Sequence, residues 1–525
     1  MSAGITVAQL EQWLGDGEEL ALFDVREDGE YGEGHLFLAV PLPFSRLETD
    51  VRRLAPGLHT RVVVYDDGIS GVAKAAARQL VVLGYQQVFE LTGGAPAWSE
   101  AGYSLFEGVN LPSKTFGEHV EIVKATPHIS APALQALIEQ KAPLLILDGR
   151  PFAEYQKMSI PGSICCPNGE LSTRFELLAP DDKTPVVVNC AGRTRSIIGA
   201  QTLIELGVKN PVYALENGTQ GWMLADLTLE KGKQQRYPDA PAPLSSMAEQ
   251  AQRLAQKGGV EWVDVAQVNQ WIAENHTVYL LDVRSIEEFA AGSVAGVQHA
   301  PGGQLQQATD HYVGVRNARL VLLDSENVRA PVTAYWLRQM GHRACVLQGG
   351  IEAVHEVKWP HIANSPVAPP IPLIPAEQLH QWLTEGRLLH LWDIRSSQRY
   401  RDGHIAGSEW MIRPHLMRAA QTFHTGQVII ISDTEEAAAW AATALGEKVE
   451  VWTLHDGFEA WQKSGYEIVK TPAFPDDADR IDFLFFTHDR HQGNKDAARQ
   501  YLAWEQGLWA RLQPSEQAIF KVVKN

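Results

Sequence analysis

Short apolar runs recur along the chain, and stretches with helical periodicity separate them. Four of these runs end in Asp, with Arg two positions later: "LFDVR", "ILDGR", "LLDVR" and "LWDIR". A second apolar run follows in each case: "RVVVYD", "PVVVNC", "RLVLLD" and "QVIIIS". Short apolar strands that alternate with helices are typical of parallel sheets. We therefore predict an α/β fold in which helices cover both faces of each parallel sheet.

The spacing between the two runs hardly changes from copy to copy. The second run ends 42 positions after the Asp in three copies and 39 positions after it in the fourth, the pairs being Asp24 and Asp66, Asp148 and Cys190, Asp282 and Asp324, Asp393 and Ser432. Each copy closes with a related turn: "LTGGAPAW", "LENGTQGW", "LQGGIEAV" or "LHDGFEAW". This agreement predicts a tandem repeat.

The repeat divides the chain into units. We predict four units, followed by a helical extension, at residues 5–105, 128–226, 260–356, 374–470 and 476–525. Stretches rich in Pro and charge at residues 106–127, 227–258 and 357–374 are interpreted as the linkers between units.

The composition narrows the class of protein. A chain of 525 residues is too long for one core. Its formal net charge of -18 disfavours binding to nucleic acid or to anionic lipid. The N-terminus lacks the pattern of a secretory signal, and no run of about 18 apolar residues predicts a membrane span, so we expect a cytoplasmic protein. Four cysteines without a CxxC pair indicate free thiols, and we expect no metal and no cofactor.

One cysteine lies where a reactive thiol would be useful. Cys190 follows the strand "PVVV" and begins the loop "CAGRTR", which leads into the helical run "SIIGAQTLIELG". Ligands of open parallel sheets bind beyond the carboxyl ends of the strands. Loop N–H groups, the helix start and two positive side chains, Arg193 and Arg195, would favour the thiolate at this place.

These motifs together resemble the rhodanese (sulfurtransferase) family, in its multidomain bacterial form. The features that carry the resemblance are the Asp-x-Arg strand end, the later turn of the type "HIAGS", the Cys loop and the closing Gly-rich turn with Trp. The resemblance implies that Cys190 takes a sulfur atom from thiosulfate as a persulfide and passes it to cyanide or a thiol. It further implies a set of substrate-binding residues and two supporting ones: Arg193, Arg195, Ala191, Gly192, Thr194 and Ser196, supported by Asp148 and Arg150.

The other three units lack the cysteine. They have Asp66, Asp324 and Ser432 at the aligned position, and Asp does not replace a thiol nucleophile. We expect these units to be inert and to serve packing, positioning or partner binding.

Several other residues have a plain structural interpretation. Asp148 and Arg150 are expected to form a structural pair, Trp222 and Cys345 to pack in the core, and Cys165 and Cys166 to point to opposite faces of a strand. Two interpretations of Glu170 and Arg174 stay open, because they could face the Cys loop or begin a solvated helix. The cluster His488, Asp489, Arg490 and His491 is expected to pack against another unit rather than to bind a metal.

Three other functions compete with an enzyme that uses a small anionic sulfur donor. The chain could be a persulfide carrier in a sulfur relay, loaded by a partner such as a cysteine desulfurase. It could also be a non-catalytic scaffold with four related surfaces. A phosphatase or arsenate reductase is disfavoured, because tyrosine phosphatases have Arg six positions after the Cys, whereas position six here is Ser196.

Overall fold

The computed structural model describes residues 3–239, 245–359, 367–445, 448–485 and 494–524. Each of the four units contains a five-stranded parallel sheet flanked by helices, which confirms the predicted α/β repeat. Within the described ranges, no helix combines the length and the apolar character that crossing a membrane requires. The cluster from His488 to His491 lies outside these ranges.

Unit 1 has the strand order β1-β5-β4-β2-β3. Its strands are β1 Ala3–Ile5, β2 Leu20–Asp24, β3 Val40–Pro41, β4 Arg61–Tyr65 and β5 Gln87–Leu91. Its helices are α1 Val7–Gly15, α2 Asp28–Glu33, α3 Leu47–Leu54, α4 Val72–Val82 and α5 Gly94–Glu100. Helix α6, Leu111–Lys124, then connects unit 1 with unit 2.

Unit 2 has the equivalent order β6-β10-β9-β7-β8. Its strands are β6 His128–Ile129, β7 Leu145–Asp148, β8 Ile164–Cys165, β9 Val186–Asn189 and β10 Val212–Leu215. Its helices are α7 Ala131–Glu139, α8 Phe152–Lys157, α9 Leu171–Leu178, α10 Thr194–Glu205 and α11 Gly218–Leu224. Helix α12, Ser245–Lys257, precedes unit 3.

Unit 3 has the order β11-β16-β15-β12-β13, and its β14 pairs antiparallel with β2 of unit 1. Its strands are β11 Glu261–Val263, β12 Val278–Asp282, β13 Gln298–His299, β14 Val315–Arg316, β15 Arg319–Leu323 and β16 Arg343–Leu347. Its helices are α13 Val265–Ala273, α14 Ile286–Ala291, α15 Gly302–Gln307, α16 Arg329–Gln339 and α17 Gly350–Ala353.

Unit 4 has the order β17-β22-β21-β18-β20 and a separate pair of strands, β19 with β23. Its strands are β17 Leu373–Ile374, β18 His390–Asp393, β19 His404–Ile405, β20 Glu409–Trp410, β21 Gly426–Ile431, β22 Val449–Leu454 and β23 Ile468–Val469. Its helices are α18 Ala376–Thr384, α19 Ser397–Asp402, α20 Arg413–Ala419, α21 Glu435–Ala442 and α22 Gly457–Lys463. A C-terminal helix, Lys495–Arg511, and a short helix, Pro514–Gln517, complete the chain.

The repeated Asp-x-Arg motif closes the end of the first long strand in every unit. In unit 2, Arg150 donates two side-chain hydrogen bonds to Asp148 at 2.9 and 2.7 Å. It also donates to the backbone oxygen of Met158, which lies eight residues on. Units 1, 3 and 4 repeat these contacts. The pair therefore fixes the following helix and turn, as its predicted structural role requires.

Two of the predicted linkers contain long helices. The composition of residues 106–127 predicts a connection only, but helix α6 lies inside this range and most of its residues are buried. It packs against α10 and against the C-terminal helix. Apolar residues such as Phe116 and Val120 lie in the same buried cluster as the helices of units 1, 2 and 3. The linker is thus part of the core.

Units 2 and 3 contact each other through equivalent segments. Equivalent residues of the two units differ by 134 in number, as Cys190 and Asp324 do. A Cβ added to Gly303 would lie 2.8 Å from the backbone nitrogen of Gly169, and one added to Gly169 would lie 2.8 Å from that of Gly303. The two backbones therefore touch at glycines that occupy equivalent positions.

Trp336 joins the same two units inside the core. This residue of α16 is 0% exposed, and its Nε1 donates to Thr202 Oγ1 of α10 at 2.9 Å. Its ring meets Phe116 of α6 edge-on, with the centroids 5.9 Å apart. One side chain thus connects unit 2, unit 3 and the linker helix.

We expect Trp336→Ala to destabilise the protein by about 3–5 kcal/mol, because it leaves a large cavity between units. Trp336→Phe fills most of that volume and should lose only the hydrogen bond, about 1 kcal/mol. Thermal unfolding followed by circular dichroism measures both changes. Equal unfolding temperatures for the Ala variant and the unmodified chain would contradict this account of the interface.

Candidate active site at Cys190

Cys190 lies at the end of β9, and its loop is held from behind by the turn that begins α11. The backbone N–H groups of Thr219 and Gln220 donate to the carbonyls of Cys190 and Ala191 at 2.8 and 3.1 Å. Gly218 makes this packing possible: its φ is +51°, and a Cβ there would lie 2.1 Å from the Cys190 carbonyl oxygen. This contact explains why a Gly-rich turn closes the unit.

The Cys190 thiol is enclosed but borders a cleft. The residue is 2% exposed, and its Sγ accepts a hydrogen bond from Ser196 Oγ at 3.1 Å. The cleft has a volume of about 570 Å³. Its lining comes from the Cys loop and also from α6, from α15 and the residues after it in unit 3, and from the C-terminal helix. The site is therefore built by four separate parts of the chain.

Arg195 lies in this cleft with one carboxylate partner. Its Nη1 and Nη2 each donate to Glu154 of α8 at 2.9 Å. Its Nη1 also lies 3.5 Å from the amide oxygen of Gln304, which belongs to unit 3. Burial alone would lower the pKa of Arg195, but the Glu154 carboxylate holds it well above its usual range. Arg195 is thus positively charged.

Arg193 points toward α6. It donates to both oxygens of Glu118 at 2.7 and 3.0 Å, and it also pairs with Glu121. Its Nη1 lies 3.4 Å from Asn217 Oδ1. Two carboxylates therefore surround this guanidinium, whereas Arg195 has one. Both arginines line the cleft, as a substrate-binding role would need, and both have protein partners in this structure.

Unit 3 shows what the equivalent loop holds when the cysteine is replaced. The two oxygens of Asp324 accept backbone N–H groups from Asn327, Val328 and Ala330, each at 2.9 Å. The Asp oxygens lie two bonds beyond Cβ. An outer sulfur bound to Cys190 Sγ would lie the same number of bonds beyond its Cβ, so the amides of this loop type point at that position.

Unit 1 uses its loop in the same way. Asp66 accepts from the backbone N–H groups of Gly68 and Ala73 at 2.8 and 2.9 Å, and from the Ser70 hydroxyl. In unit 4, Ser432 Oγ instead donates to the Thr434 carbonyl. The aspartates of units 1 and 3 thus fill their own loops with their side-chain oxygens.

The contact between units 2 and 3 places different charges on its two sides. Arg329, the equivalent of Arg195, pairs with Glu170, Glu288 and Glu326. Of these three carboxylates, Glu288 has an equivalent at Arg195, which is Glu154. The other two have none: Gln304 is the equivalent of Glu170, and Gly192 is the equivalent of Glu326. Three carboxylates therefore surround Arg329, and one pairs with Arg195. The guanidinium of Arg195 therefore has fewer carboxylates that compete with an anionic ligand than the guanidinium of Arg329 has.

The remaining candidate residues lie in buried positions and have structural contacts. Trp222 is fully buried, and Cys345 lies in the core of unit 3. Cys165 Sγ lies 3.5 Å from the Arg150 carbonyl, and Cys166 is fully buried. Glu170 and Arg174, for which two interpretations stood open, are both buried, and Glu170 pairs with unit 3 rather than with solvent.

Several residues of the cleft were not singled out in the sequence. They lie outside the loop or outside unit 2, and they include Lys114, Glu118, Glu154, Gln220, Gln304, Tyr501 and Glu505. Comparison of the four repeats would have found the substitutions at Gln304 and Gly192. The contributions of α6 and the C-terminal helix leave no motif, because they depend on how the units pack.

One group of possible metal ligands occurs in the described part of unit 4. Glu435, His455 and Asp456 bring three ligand atoms within 4.8 Å of one another. Two of the three residues are exposed, and exposed acidic groups of this kind are common without a metal. None of them lines the cleft at Cys190.

Comparison with protein families gives a match in every unit. A family described as the rhodanese-like domain matches residues 6–101, 130–225, 248–356 and 375–464, together well over half of the chain. The prediction of four tandem units of this family is thereby confirmed.

Two individual proteins extend the comparison. A crystal structure of thiosulfate sulfurtransferase from Pseudomonas aeruginosa is 39% identical, covers 100% of both chains and has a TM-score of 0.90. The putative sulfur carrier protein YrkF of Bacillus subtilis is 32% identical over 107 residues, which are 20% of this chain. That match spans 56% of the relative, so the chain covers little more than half of it. These similarities support a sulfurtransferase in the broad sense.

The geometry predicts which thiol reacts in the folded protein. Burial raises the pKa of Cys165 and Cys345 to about 12 and that of Cys166 still further, so at pH 8 these three are neutral thiols. Iodoacetamide at pH 8 should therefore modify Cys190, which borders the cleft, and peptide mass analysis should locate the label there. A Cys190→Ser control should take up no label. Labelling of Cys165 or Cys166 in that control would contradict the assignment.

Proposed function

We infer that this chain, which belongs to the family of rhodanese-like domain proteins, transfers sulfane sulfur through a persulfide on Cys190 and takes it from thiosulfate. The acceptor is cyanide or a thiol. In this proposal Cys190 is the catalytic residue, and the cleft around it binds both substrates in turn.

The observation that carries the proposal is the anion held by the equivalent loop of unit 3. There, three amides bind a negative charge two bonds beyond Cβ. The equivalent amides in unit 2 belong to Arg193, Thr194 and Ser196. A terminal persulfide sulfur on Cys190 would occupy the place of the Asp324 oxygens and would carry the negative charge that this loop binds.

The first half of the reaction loads the cysteine. The Cys190 thiolate attacks the outer sulfur of thiosulfate, a new S–S bond forms, and the old S–S bond breaks. Its electron pair leaves with sulfite. Arg195, which has a single carboxylate partner, binds the sulfonate oxygens and stabilises the departing sulfite. Arg193 contributes less, because two carboxylates already surround it.

The second half returns the thiolate. Cyanide or an acceptor thiolate attacks the outer sulfur, the bond to Cys190 Sγ breaks, and the electron pair stays on Sγ. The products are thiocyanate or an acceptor persulfide, and no external oxidant is needed. Ala191, Gly192, Thr194 and Ser196 hold the intermediate through their backbone and the Ser196 hydroxyl, which already donates to Cys190 Sγ. Asp148 and Arg150 support the site from the neighbouring strand end.

A second candidate function is a persulfide carrier that is loaded by another protein. The similarity of one segment to a putative sulfur carrier favours it. Both functions use the same intermediate and differ in the donor. Loading by thiosulfate alone supports the enzyme, and loading only in the presence of a cysteine desulfurase supports the carrier.

We expect incubation with thiosulfate to raise the mass of the intact protein by one sulfur atom, roughly 32 Da, because the intermediate is covalent. Cyanide should remove the added mass and release thiocyanate. Intact mass spectrometry measures the change, and Cys190→Ala should show none. An unchanged mass in the unmodified chain would rule out thiosulfate as the direct donor.

The different number of carboxylates around Arg195 of unit 2 and Arg329 of unit 3 gives a second test. Gln304→Glu places a carboxylate beside Arg195, as Glu170 lies beside Arg329. We expect the KM for thiosulfate to rise by about tenfold, which corresponds to about 1.4 kcal/mol, because the new carboxylate competes with the anionic donor. Steady-state thiocyanate formation measures it.

The matched control adds the same charge elsewhere. Gln86 lies on the exposed surface of unit 1, so Gln86→Glu should leave the KM for thiosulfate unchanged. Gln304→Ala removes the amide without adding charge and should raise the KM less than Gln304→Glu does. Equal KM values for Gln304→Glu and Gln304→Ala would show that charge at Arg195 does not select the donor.

A further inference from the structure

Two buried polar side chains converge on the Cys190 cleft without a protein partner for all their atoms. Gln220 is the third residue of α11 and is 4% exposed; its side-chain Nε2 and Oε1 both lack a hydrogen-bond partner. Glu505 of the C-terminal helix is 2% exposed; its Oε1 accepts from Thr194 Oγ1 at 2.9 Å, and its Oε2 has no partner.

The two groups meet above Gly192, two residues after the cysteine. A Cβ placed on Gly192 would lie 3.2 Å from Glu505 Oε2 and 3.7 Å from Gln220 Nε2. Both residues line the same cleft as Cys190. The free carboxylate oxygen and the free amide are thus aimed at one volume that opens onto the reacting sulfur.

The nearest cations are already engaged. The Lys114 ammonium contacts the Tyr501 hydroxyl and lies over the Tyr501 ring, 5.1 Å from its centroid. Arg193 pairs with two other carboxylates. A buried carboxylate oxygen and a buried amide without hydrogen bonds raise the free energy of the folded protein. A ligand that donates hydrogen bonds to Glu505 would therefore bind there with a favourable free energy.

We propose that this pair forms an acceptor subsite for small thiols that carry a protonated amine, which Glu505 Oε2 and Gln220 Oε1 bind while the thiol reaches the persulfide. A carboxylate disfavours anionic acceptors and selects a cation, and Gln220 Nε2 can in addition donate to an acceptor oxygen, as in an α-amino acid thiol. The inference rests on the proposed function, because it names the acceptor class of the same site.

The transfer step is balanced without another reactant. The acceptor thiol loses its proton to water, and its thiolate attacks the outer sulfur of the Cys190 persulfide. A bond forms between the two sulfurs, the bond to Cys190 Sγ breaks, and Sγ leaves as the thiolate. Glu505 takes no part in the bond changes and acts by holding the amine, so it is a specificity-determining residue.

The test compares two acceptors that differ in one group. Cysteamine and 2-mercaptoethanol share a two-carbon skeleton and differ in an ammonium or a hydroxyl. With saturating thiosulfate, sulfite release gives kcat/KM for each acceptor in the full-length chain. Because the two thiols differ in acidity, the decisive quantity is the change in their kcat/KM ratio between variants. We expect Glu505→Gln to lower the ratio of cysteamine to 2-mercaptoethanol on the order of tenfold.

A control variant and a second variant complete the design. Asp496→Asn removes an exposed carboxylate of the same helix and should leave the ratio unchanged. Gln220→Leu removes the amide and should lower the ratio as Glu505→Gln does; it serves as the test if the Glu505 variant fails to fold. If the kcat/KM ratio of the two thiols is unchanged in the folded variants, the subsite is overturned. The same holds if kcat/KM falls equally for both thiols. Cyanide has no amine, so thiocyanate formation from cyanide should persist if only the subsite proposal is wrong. If the proposed function itself is wrong, no acceptor should support sulfite release.

Discussion

The structure depends on a loop of backbone N–H donors at the end of the second long strand, which binds a carboxylate in units 1 and 3. The loop runs from the strand into a helix, so its N–H groups and the helix start point at one place. In units 1 and 3 the acceptor is an aspartate side chain of the loop itself, and an aspartate does not replace a thiol nucleophile. In unit 2 the shorter Cys190 side chain leaves the place two bonds beyond Cβ free for a sulfur atom. The same backbone geometry thus holds a carboxylate in two units and, in the proposed function, a persulfide in one.

The contact between units 2 and 3 decides how charge is distributed around that place. The two sides share residue positions with a constant offset, yet Arg329 meets three carboxylates and Arg195 meets one. Two substitutions make the difference, Gln304 and Gly192. Because both remove a carboxylate from the same guanidinium position, fewer carboxylates compete with an anion on the side with the cysteine. Unit 3 therefore contributes to the active site through a neutral amide as well as through packing.

Much of this architecture could be predicted from the sequence, because the determining features are local and repeated. The strand ends, the Asp-x-Arg pairs and the Gly-rich turns depend on contacts within about ten residues or within one unit, and the four copies confirm one another. Cys190 stood out because it is the one cysteine among the four aligned positions Asp66, Cys190, Asp324 and Ser432. Helix α6 did not stand out, since its buried faces are polar as well as apolar. Glu505 lies 315 residues from Cys190, and only the packing of the C-terminal helix places it in the cleft.

The walls of the cleft also bear on which donor suits the site. Cys190 is 2% exposed, and its cleft of about 570 Å³ is bounded by α6, unit 3 and the C-terminal helix. A small anion such as thiosulfate fits this volume without any rearrangement. A folded sulfur-delivery protein would have to present its sulfur on a narrow extended segment, or units 2 and 3 would have to separate and break the buried ion pairs between Arg329 and Glu170. Such a separation would also expose the apolar surface that the two units bury against each other, including Trp336. The enclosure built by the neighbouring units therefore supports the proposal of small-molecule donors and acceptors rather than a protein relay.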